Sequence, residues 1–190
     1  GGVIGGVNGT EGSTLSGLVN EGDITYVGTT QIANLYISGI VGKNADTNGQ
    51  TDFKSINNCT NKGNLSTHKD SENTASILLC GITGRLDIGA DVVCDKLINN
   101  GDLTHNGTVK GLSLGGLFGY SNKASLTNCQ NTGALTVADG ATVSGDILQI
   151  AGLCTQKLTA DKLEACSNSG KICVGSKVTA GKKSVIAGLV

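Results

Sequence analysis

The sequence predicts an all-β chain that forms a single domain over residues 1–190 and coils as a parallel β-solenoid with repeats of about 36 residues. Three observations support this prediction. Two short motifs alternate along the chain, and in one of them apolar residues recur at every second position. The composition is also rich in glycine, which is common in tight turns. Gly supplies 30 of the 190 residues, Pro, Met and Trp are absent, and aromatic residues make up 3%. So few large rings argue against a conventional helical or α/β core, whereas 38% hydrophobic residues at regular positions argue against disorder.

The first motif reads apolar-x-x-apolar-x-Asn-x-Gly-x-(Ile/Leu). Its five copies are centred on Asn20, Asn61, Asn99, Asn131 and Asn168. Alternate residues from Cys129 through Gly133 to Leu135 form one face, which is the period of a β-strand. We expect a tight corner at Asn-x-Gly, where glycine supplies backbone freedom, and a bend at three-residue steps such as Leu126 to Cys129.

The second motif reads (Ile/Leu)-x-Gly-apolar-x-Gly and alternates strictly with the first. Its central glycines are Gly6, Gly39, Gly81, Gly116, Gly152 and Gly188, and the later copies are incomplete. Such regular alternation predicts a repeat architecture, in which each repeat buries its apolar face only when its neighbours stack on it.

The repeat length leaves two ways of coiling the chain. One coil per repeat would stack the five motif asparagines about 4.8 Å apart, so that their amides bond from rung to rung as a structural ladder. Two coils of about 18 residues per repeat would stack asparagine on glycine and lose the ladder. We favour one coil per repeat, which predicts about five stacked coils.

The segments Gly39-Ile-Val-Gly42 and Gly116-Leu-Phe-Gly119, paired with Cys129-Gln-Asn131-Thr-Gly133, resemble the GLUG-motif repeats of bacterial and some protist surface proteins. Regions beside IgA-specific metallopeptidases carry such repeats. The resemblance covers nearly the whole chain and implies a right-handed parallel β-helix in a secreted or surface-anchored protein. It implies no catalytic residues, since these repeats are scaffold or adhesive regions.

Most of the seven cysteines occupy motif positions that Leu, Ile, Val or Phe fill in other copies. This pattern favours buried free thiols that pack as small hydrophobic side chains. The alternative is a disulfide between Cys129 and Cys166, because equivalent positions on adjacent coils lie close enough to bond. The odd number of cysteines leaves at least one unpaired.

The sequence carries no recognisable catalytic or metal-binding spacing, so we expect no enzymatic activity, cofactor or metal. Asp23 and Asp102 share a corner position, but on coils that are not adjacent. His68 and His105 stand alone, and we expect His105 to be a partly buried strand-end residue. The aspartates at 87, 91 and 95 are interpreted as a solvated polar face, with a weak cation site as the alternative.

The charge, the hydropathy and the glycosylation motifs of the chain indicate which partners and modifications to expect. The net charge is −1 without a basic cluster, and no apolar run is long enough to span a bilayer, so we expect neither nucleic-acid binding nor membrane insertion. The candidate N-glycosylation sites are Asn8, Asn58, Asn64 and Asn106.

These observations predict a structural or adhesive β-solenoid segment of a large extracellular or cell-surface protein, acting as a stalk, filament subunit or adhesin. The alternative is a glycan-binding or glycan-cleaving β-helix module. The chain lacks Met, so we expect it to be an internal piece of a longer polypeptide. The expected partners are neighbouring repeats or subunits of the same protein, together with host or cell-surface glycans.

Overall fold

The computed structural model describes residues 1–7, 13–29, 33–44, 53–86, 92–145, 147–156 and 162–190. Within these ranges the chain forms 27 strands and no helix, and every strand pair is parallel. The predicted all-β parallel solenoid is therefore confirmed.

The strands fall into five successive rungs. The first rung holds β1 (Ile4–Val7), β2 (Ser13–Ser16), β3 (Val19–Asn20), β4 (Ile24–Tyr26) and β5 (Asn34–Ser38). The second holds β6 (Val41–Asn44), β7 (Phe53–Asn57), β8 (Thr60–Asn61), β9 (Leu65–Thr67) and β10 (Glu72–Cys80). The third holds β11 (Thr83–Leu86), β12 (Val92–Asp95), β13 (Ile98–Asn99), β14 (Leu103–His105) and β15 (Thr108–Gly115).

The last two rungs have one extra strand each. The fourth holds β16 (Phe118–Ser121), β17 (Ala124–Thr127), β18 (Gln130–Asn131), β19 (Leu135–Val137), β20 (Thr142–Val143) and β21 (Ile147–Ala151). The fifth holds β22 (Cys154–Gln156), β23 (Leu163–Glu164), β24 (Ser167–Asn168), β25 (Ile172–Val174), β26 (Thr179–Ala180) and β27 (Lys183–Ala187).

Equivalent strands of successive rungs stack into five sheets, here named A to E in chain order. Sheet A is β1-β6-β11-β16-β22, sheet B is β2-β7-β12-β17-β23, sheet C is β3-β8-β13-β18-β24, and sheet D is β4-β9-β14-β19-β25. In sheet E, β5, β10 and β15 stack in that order. The long strand β15 then pairs with two separate strands of the fourth rung, β20 and β21, which pair in turn with β26 and β27. Asn99 pairs with Asn61 on one side and Asn131 on the other, so each repeat makes one coil, as we favoured.

The interior contains two apolar clusters. One contains Leu97, Leu117, Phe118, Leu126 and Cys129, and the other contains Leu79, Leu103, Leu114, Leu135 and Ile150. These side chains belong to the middle rungs and are completely or almost completely buried. Burying each large one contributes about 1.5–3 kcal/mol, and it requires a rung on either side.

The chain bends between sheets B and C at one residue per rung with a left-handed backbone. These residues are Gly17, Asn58, Lys96, Asn128 and Ala165, with φ between 51° and 69°. The bend breaks the two-residue alternation, so that Leu126 and Cys129 both point into the core. This confirms the bend expected at the three-residue step.

Candidate functional site

The five motif asparagines form a continuous hydrogen-bonded ladder through the inside of the solenoid. At each step the Nδ2 atom donates to the Oδ1 atom of the next asparagine at 2.7 Å, in the order Asn20, Asn61, Asn99, Asn131 and Asn168. The three middle members are completely buried. The ladder therefore runs through every rung.

The second Nδ2 proton of each asparagine is also used. Asn61 donates to the carbonyl oxygen of Gly63, Asn99 to that of Gly101, and Asn131 to that of Gly133, each at 2.9 Å. Both amide protons of the middle asparagines are thus satisfied without water. Buried polar groups satisfied in this way stabilise one register of stacking, because a slipped rung would leave them unpaired.

The ladder is also where the two sequence motifs meet. Four central glycines of the second motif, Gly39, Gly81, Gly116 and Gly152, face the asparagines, and a Cβ atom on Gly116 would lie 2.7 Å from the Cγ atom of Asn131. A Cβ atom on Gly152 would lie 2.5 Å from the Cβ atom of Asn168. Glycine is needed there because the wall touches the ladder.

The glycine of Asn-x-Gly lies at a corner, but the reason predicted for it was wrong. Gly101 and Gly133 do not have the left-handed backbone that only glycine adopts easily. A Cβ atom on Gly101 would instead lie 2.6 Å from the carbonyl carbon of Gly63 on the rung before. Close stacking of the corners, and not backbone freedom, excludes a side chain here.

A second ladder, which the sequence analysis missed, runs along the outside of the same corner. The Oδ1 atom of Asp23 accepts a hydrogen bond from the backbone N–H of Asn64 at 2.7 Å. In the same way, Asn64 Oδ1 accepts from the Asp102 N–H at 3.0 Å, and Asp102 Oδ1 accepts from the Ala134 N–H at 2.7 Å. Asp23 and Asp102 thus bind the rungs together. The recurrence of Asp or Asn at this position was the signal for this role.

His105 is completely buried, which corrects the expectation that it is partly exposed. Its Nδ1 atom lies 2.9 Å from the Oγ1 atom of Thr67, and its Nε2 atom has no partner within hydrogen-bond distance. Burial lowers the pKa of His105 to about 4. His68 is more exposed and has Asp70 nearby, with Nδ1 and Oδ2 3.5 Å apart.

No group of three or more His, Cys, Asp or Glu side chains in the described ranges is arranged to hold a metal ion. Two members of the alternative cation site, Asp87 and Asp91, lie outside the described residues, and the third, Asp95, pairs loosely with Lys96.

All seven cysteines are free thiols, and five of them are buried. Cys129 and Cys166 occupy adjacent rungs as expected, and the Cys129 backbone N–H donates to the Cys166 Sγ atom at 3.4 Å, but no disulfide joins them. Burial raises the pKa of Cys129 to about 12 and that of Cys94 well above its usual range. Because the thiolate is the reactive form, these cysteines are protected from oxidation.

Three candidate glycosylation sites fall on described residues. Asn58 and Asn64 are exposed, whereas Asn106 is half-buried and donates from its Nδ2 atom to the Thr67 carbonyl oxygen at 2.7 Å. Asn8 lies outside the described residues. A glycan is therefore easier to attach at Asn58 and Asn64 than at Asn106.

A cleft lies where the outer face of sheet E meets sheet A. The outward row of sheet E is Tyr36, Leu78, Ser113 and Gln149, and the facing row of sheet A is Lys43, Arg85, Tyr120 and Gln156. Gln156 Nε2 donates to Ser113 Oγ at 2.7 Å, and Lys43 Nζ lies 5.8 Å from the centre of the Tyr36 ring. These residues share no chemical type from rung to rung, so no repeat signal in the sequence marks them.

No family model, curated protein or solved structure matches the chain. The resemblance to GLUG-motif repeats thus stays a prediction from the sequence. In the described ranges, no helix is both long and apolar enough to cross a membrane.

Proposed function

We propose that this chain is a non-catalytic structural or adhesive β-solenoid segment of a large extracellular or cell-surface protein, acting as a stalk, filament subunit or adhesin. The observation that carries the proposal is the Asn ladder, because its buried amides bond to one another and to corner carbonyl oxygens and so hold the rungs in register. The outer Asp23–Asn64–Asp102 ladder supports it, since two carboxylates and one amide oxygen accept hydrogen bonds from backbone N–H groups of the next rung.

The candidate glycosylation sites suit an extracellular location, and five of the seven cysteines are buried where oxidation is slow. Cys166 and Cys173 are partly exposed, and an oxidising environment would reach them more readily. Asn58 and Asn64 are exposed and would accept glycans if the source secretes the chain through a glycosylating pathway.

The first and last rungs suggest the partners. Leu163 on the last rung is 44% exposed, whereas its equivalent Leu126 on the rung before is completely buried. On the first rung Leu15 is only partly buried, whereas its equivalent Ile56 is almost completely buried. We infer that further repeats, or subunits of the same protein, cover these strand edges. Host or cell-surface glycans are the partners proposed for the side of the solenoid.

Antibody labelling of intact source cells tests the location. Antibodies raised against residues 1–190 should label intact cells as strongly as permeabilised ones. Labelling that appears only after permeabilisation would rule out the surface role.

The alternative function, a glycan-binding or glycan-cleaving module, is favoured by one observation, the cleft between sheets A and E. Incubation with a panel of polysaccharides separates the two activities. We expect no new reducing or unsaturated ends, and their appearance would identify a glycan-cleaving enzyme.

A further inference from the structure

The cleft between sheets A and E contains a cavity of about 60 Å³ whose floor is a glycine. In the outward row of sheet E, Gly111 lies between Ser76 on the rung before and Ile147 on the rung after. Because Gly111 has no side chain, the row is interrupted and a depression forms. A Cβ atom there would meet Ser76 Oγ at 2.6 Å, so the space is bounded by a side chain that can rotate.

The cavity lining combines apolar and uncharged polar groups. Leu78 and Ile147 supply the apolar part, and Ile147 is 41% exposed. Ser76, Ser113 and Gln156 supply the polar part, and none of the residues that line the cavity itself is charged. The two cations of the wider cleft, Lys43 and Arg85, lie over the rings of Tyr36 and Tyr120. A sugar ring has the complementary chemistry, because it presents C–H groups on its faces and hydroxyl groups at its edge.

The polar groups are already oriented by hydrogen bonds. Gln156 Nε2 donates to Ser113 Oγ at 2.7 Å, and Ser113 Oγ donates onward to Gln149 Oε1 at 3.5 Å. This arrangement leaves Gln156 Oε1 as an acceptor beside the cavity and the Gln149 Nε2 group as a donor on the next rung of the same outward row. A ligand hydroxyl both donates and accepts, so it can bond to either end of this relay.

Aromatic rings continue the cleft along the solenoid axis. Tyr36 carries Lys43 near its ring, and Tyr120 carries the Arg85 guanidinium 4.9 Å from its ring centre. Such pairing holds each ring in place. Since strands repeat about every 4.8 Å along the axis, the cleft extends over several rungs and suits a chain of sugars better than a single one.

We propose that this cleft binds a neutral oligosaccharide, with an exocyclic group of one sugar unit in the Gly111 depression and the neighbouring units along Tyr36 and Tyr120. The inference rests on the adhesive role proposed above and gives that role a site and a ligand class. Its failure would leave the surface-labelling result unchanged, so the two are tested separately.

The test uses the purified full chain and named probes. Linear neutral oligosaccharides of glucose, mannose, galactose, xylose and N-acetylglucosamine are titrated by NMR and calorimetry, with oligogalacturonate as the acidic comparison. At least one neutral probe should bind saturably and shift resonances of Ser113 and Gln156. No saturable binding of a neutral probe, or binding of the acidic probe alone, would overturn the proposal.

Variants locate the binding in the cleft. Gly111→Val fills the depression and should weaken binding at least about tenfold, and Gln156→Ala should do the same by removing the relay. Thr104→Val, on the outward face of sheet D, is the matched control and should bind as the parent does. If Gly111→Val lowers the unfolding midpoint, the affinity of Gln156→Ala is used to test the site instead. Parental affinity in the folded variants would contradict the proposed site.

Discussion

The Nδ2 atom of Asn99 lies 2.7 Å from the Oδ1 atom of Asn131, and both side chains are completely buried. These residues are 32 positions apart in sequence, yet one is directly above the other in the stack. This hydrogen bond can form only when the two rungs are stacked in the observed register. Loss of either amide should therefore affect both rungs.

Replacement of Asn131 by Ala should lower the free energy of unfolding by about 3 kcal/mol, because it leaves Asn99 Nδ2, Asn168 Oδ1 and the Gly133 carbonyl without their partners. Asn131→Asp keeps the size but removes both donors and should also destabilise. Denaturant unfolding measures the change. Asn100→Ala is the control, because Asn100 is exposed on the same corner and its side chain accepts one hydrogen bond, from Thr132 Oγ1; it should change stability by less than about 1 kcal/mol. Equal stability of all three variants would show that the ladder does not stabilise the fold.

His105 should make the protein less stable in mild acid. Its pKa is about 4 in the folded state and 6.5 when exposed, so the unfolded state binds the proton first as the pH falls. The stability present above pH 6.5 should decline toward pH 4, by about 3 kcal/mol in total.

His105→Val isolates that effect, since Val137 fills the equivalent position on the next rung. Unfolding of this variant between pH 7 and 4 should show a shallower loss of stability than the parent. Thr104→Val, on the same strand and at a position without an ionisable group, should retain the parental pH dependence. A His105→Val profile parallel to that of the parent would contradict the assignment.

Ala165→Gly should stabilise the protein by about 1 kcal/mol, because Ala165 has φ of 51° and glycine adopts this conformation without strain. Ala180→Gly, in an exposed strand position without positive φ, should destabilise by about 0.5–1 kcal/mol. Thermal unfolding compares the two variants. If both variants were less stable than the parent, glycine would not relieve backbone strain at residue 165.

Thiol titration should find few reactive cysteines in the native protein. Cys166 and Cys173 are partly exposed and should react first, whereas the five buried thiols should react only after denaturation. In denaturant without reductant the count should reach seven. A count of five would indicate one disulfide, and Cys129–Cys166 would then be the first pair to examine.

The interior was predictable from sequence because inward positions repeat in residue type. Asn131, Gly133 and Leu135 recur at one spacing in every copy, and the structure stacks each on its equivalent. The bend at Asn128 was also visible, as a three-residue step between apolar positions.

The outer surface was not predictable in the same way. Leu78, Ser113 and Gln149 are stacked in register but differ in chemistry, so no repeat signal marks them. The cleft depends on contacts between residues of different sheets, such as Gln156 and Ser113, which are 43 positions apart in sequence. The burial of His105 likewise depends on the rungs on either side, and the sequence position alone predicted only partial burial.

Hydrogen exchange of side-chain amides tests the central claim most directly. In the native protein, the Nδ2 protons of Asn61, Asn99 and Asn131 should exchange with solvent far more slowly than those of exposed Asn100, because each middle amide is buried and doubly bonded. NMR of the amide-labelled protein resolves these groups. Exchange as fast as that of Asn100, while the backbone amides of sheet C stay protected, would contradict the Asn ladder and with it the account of how the rungs are held.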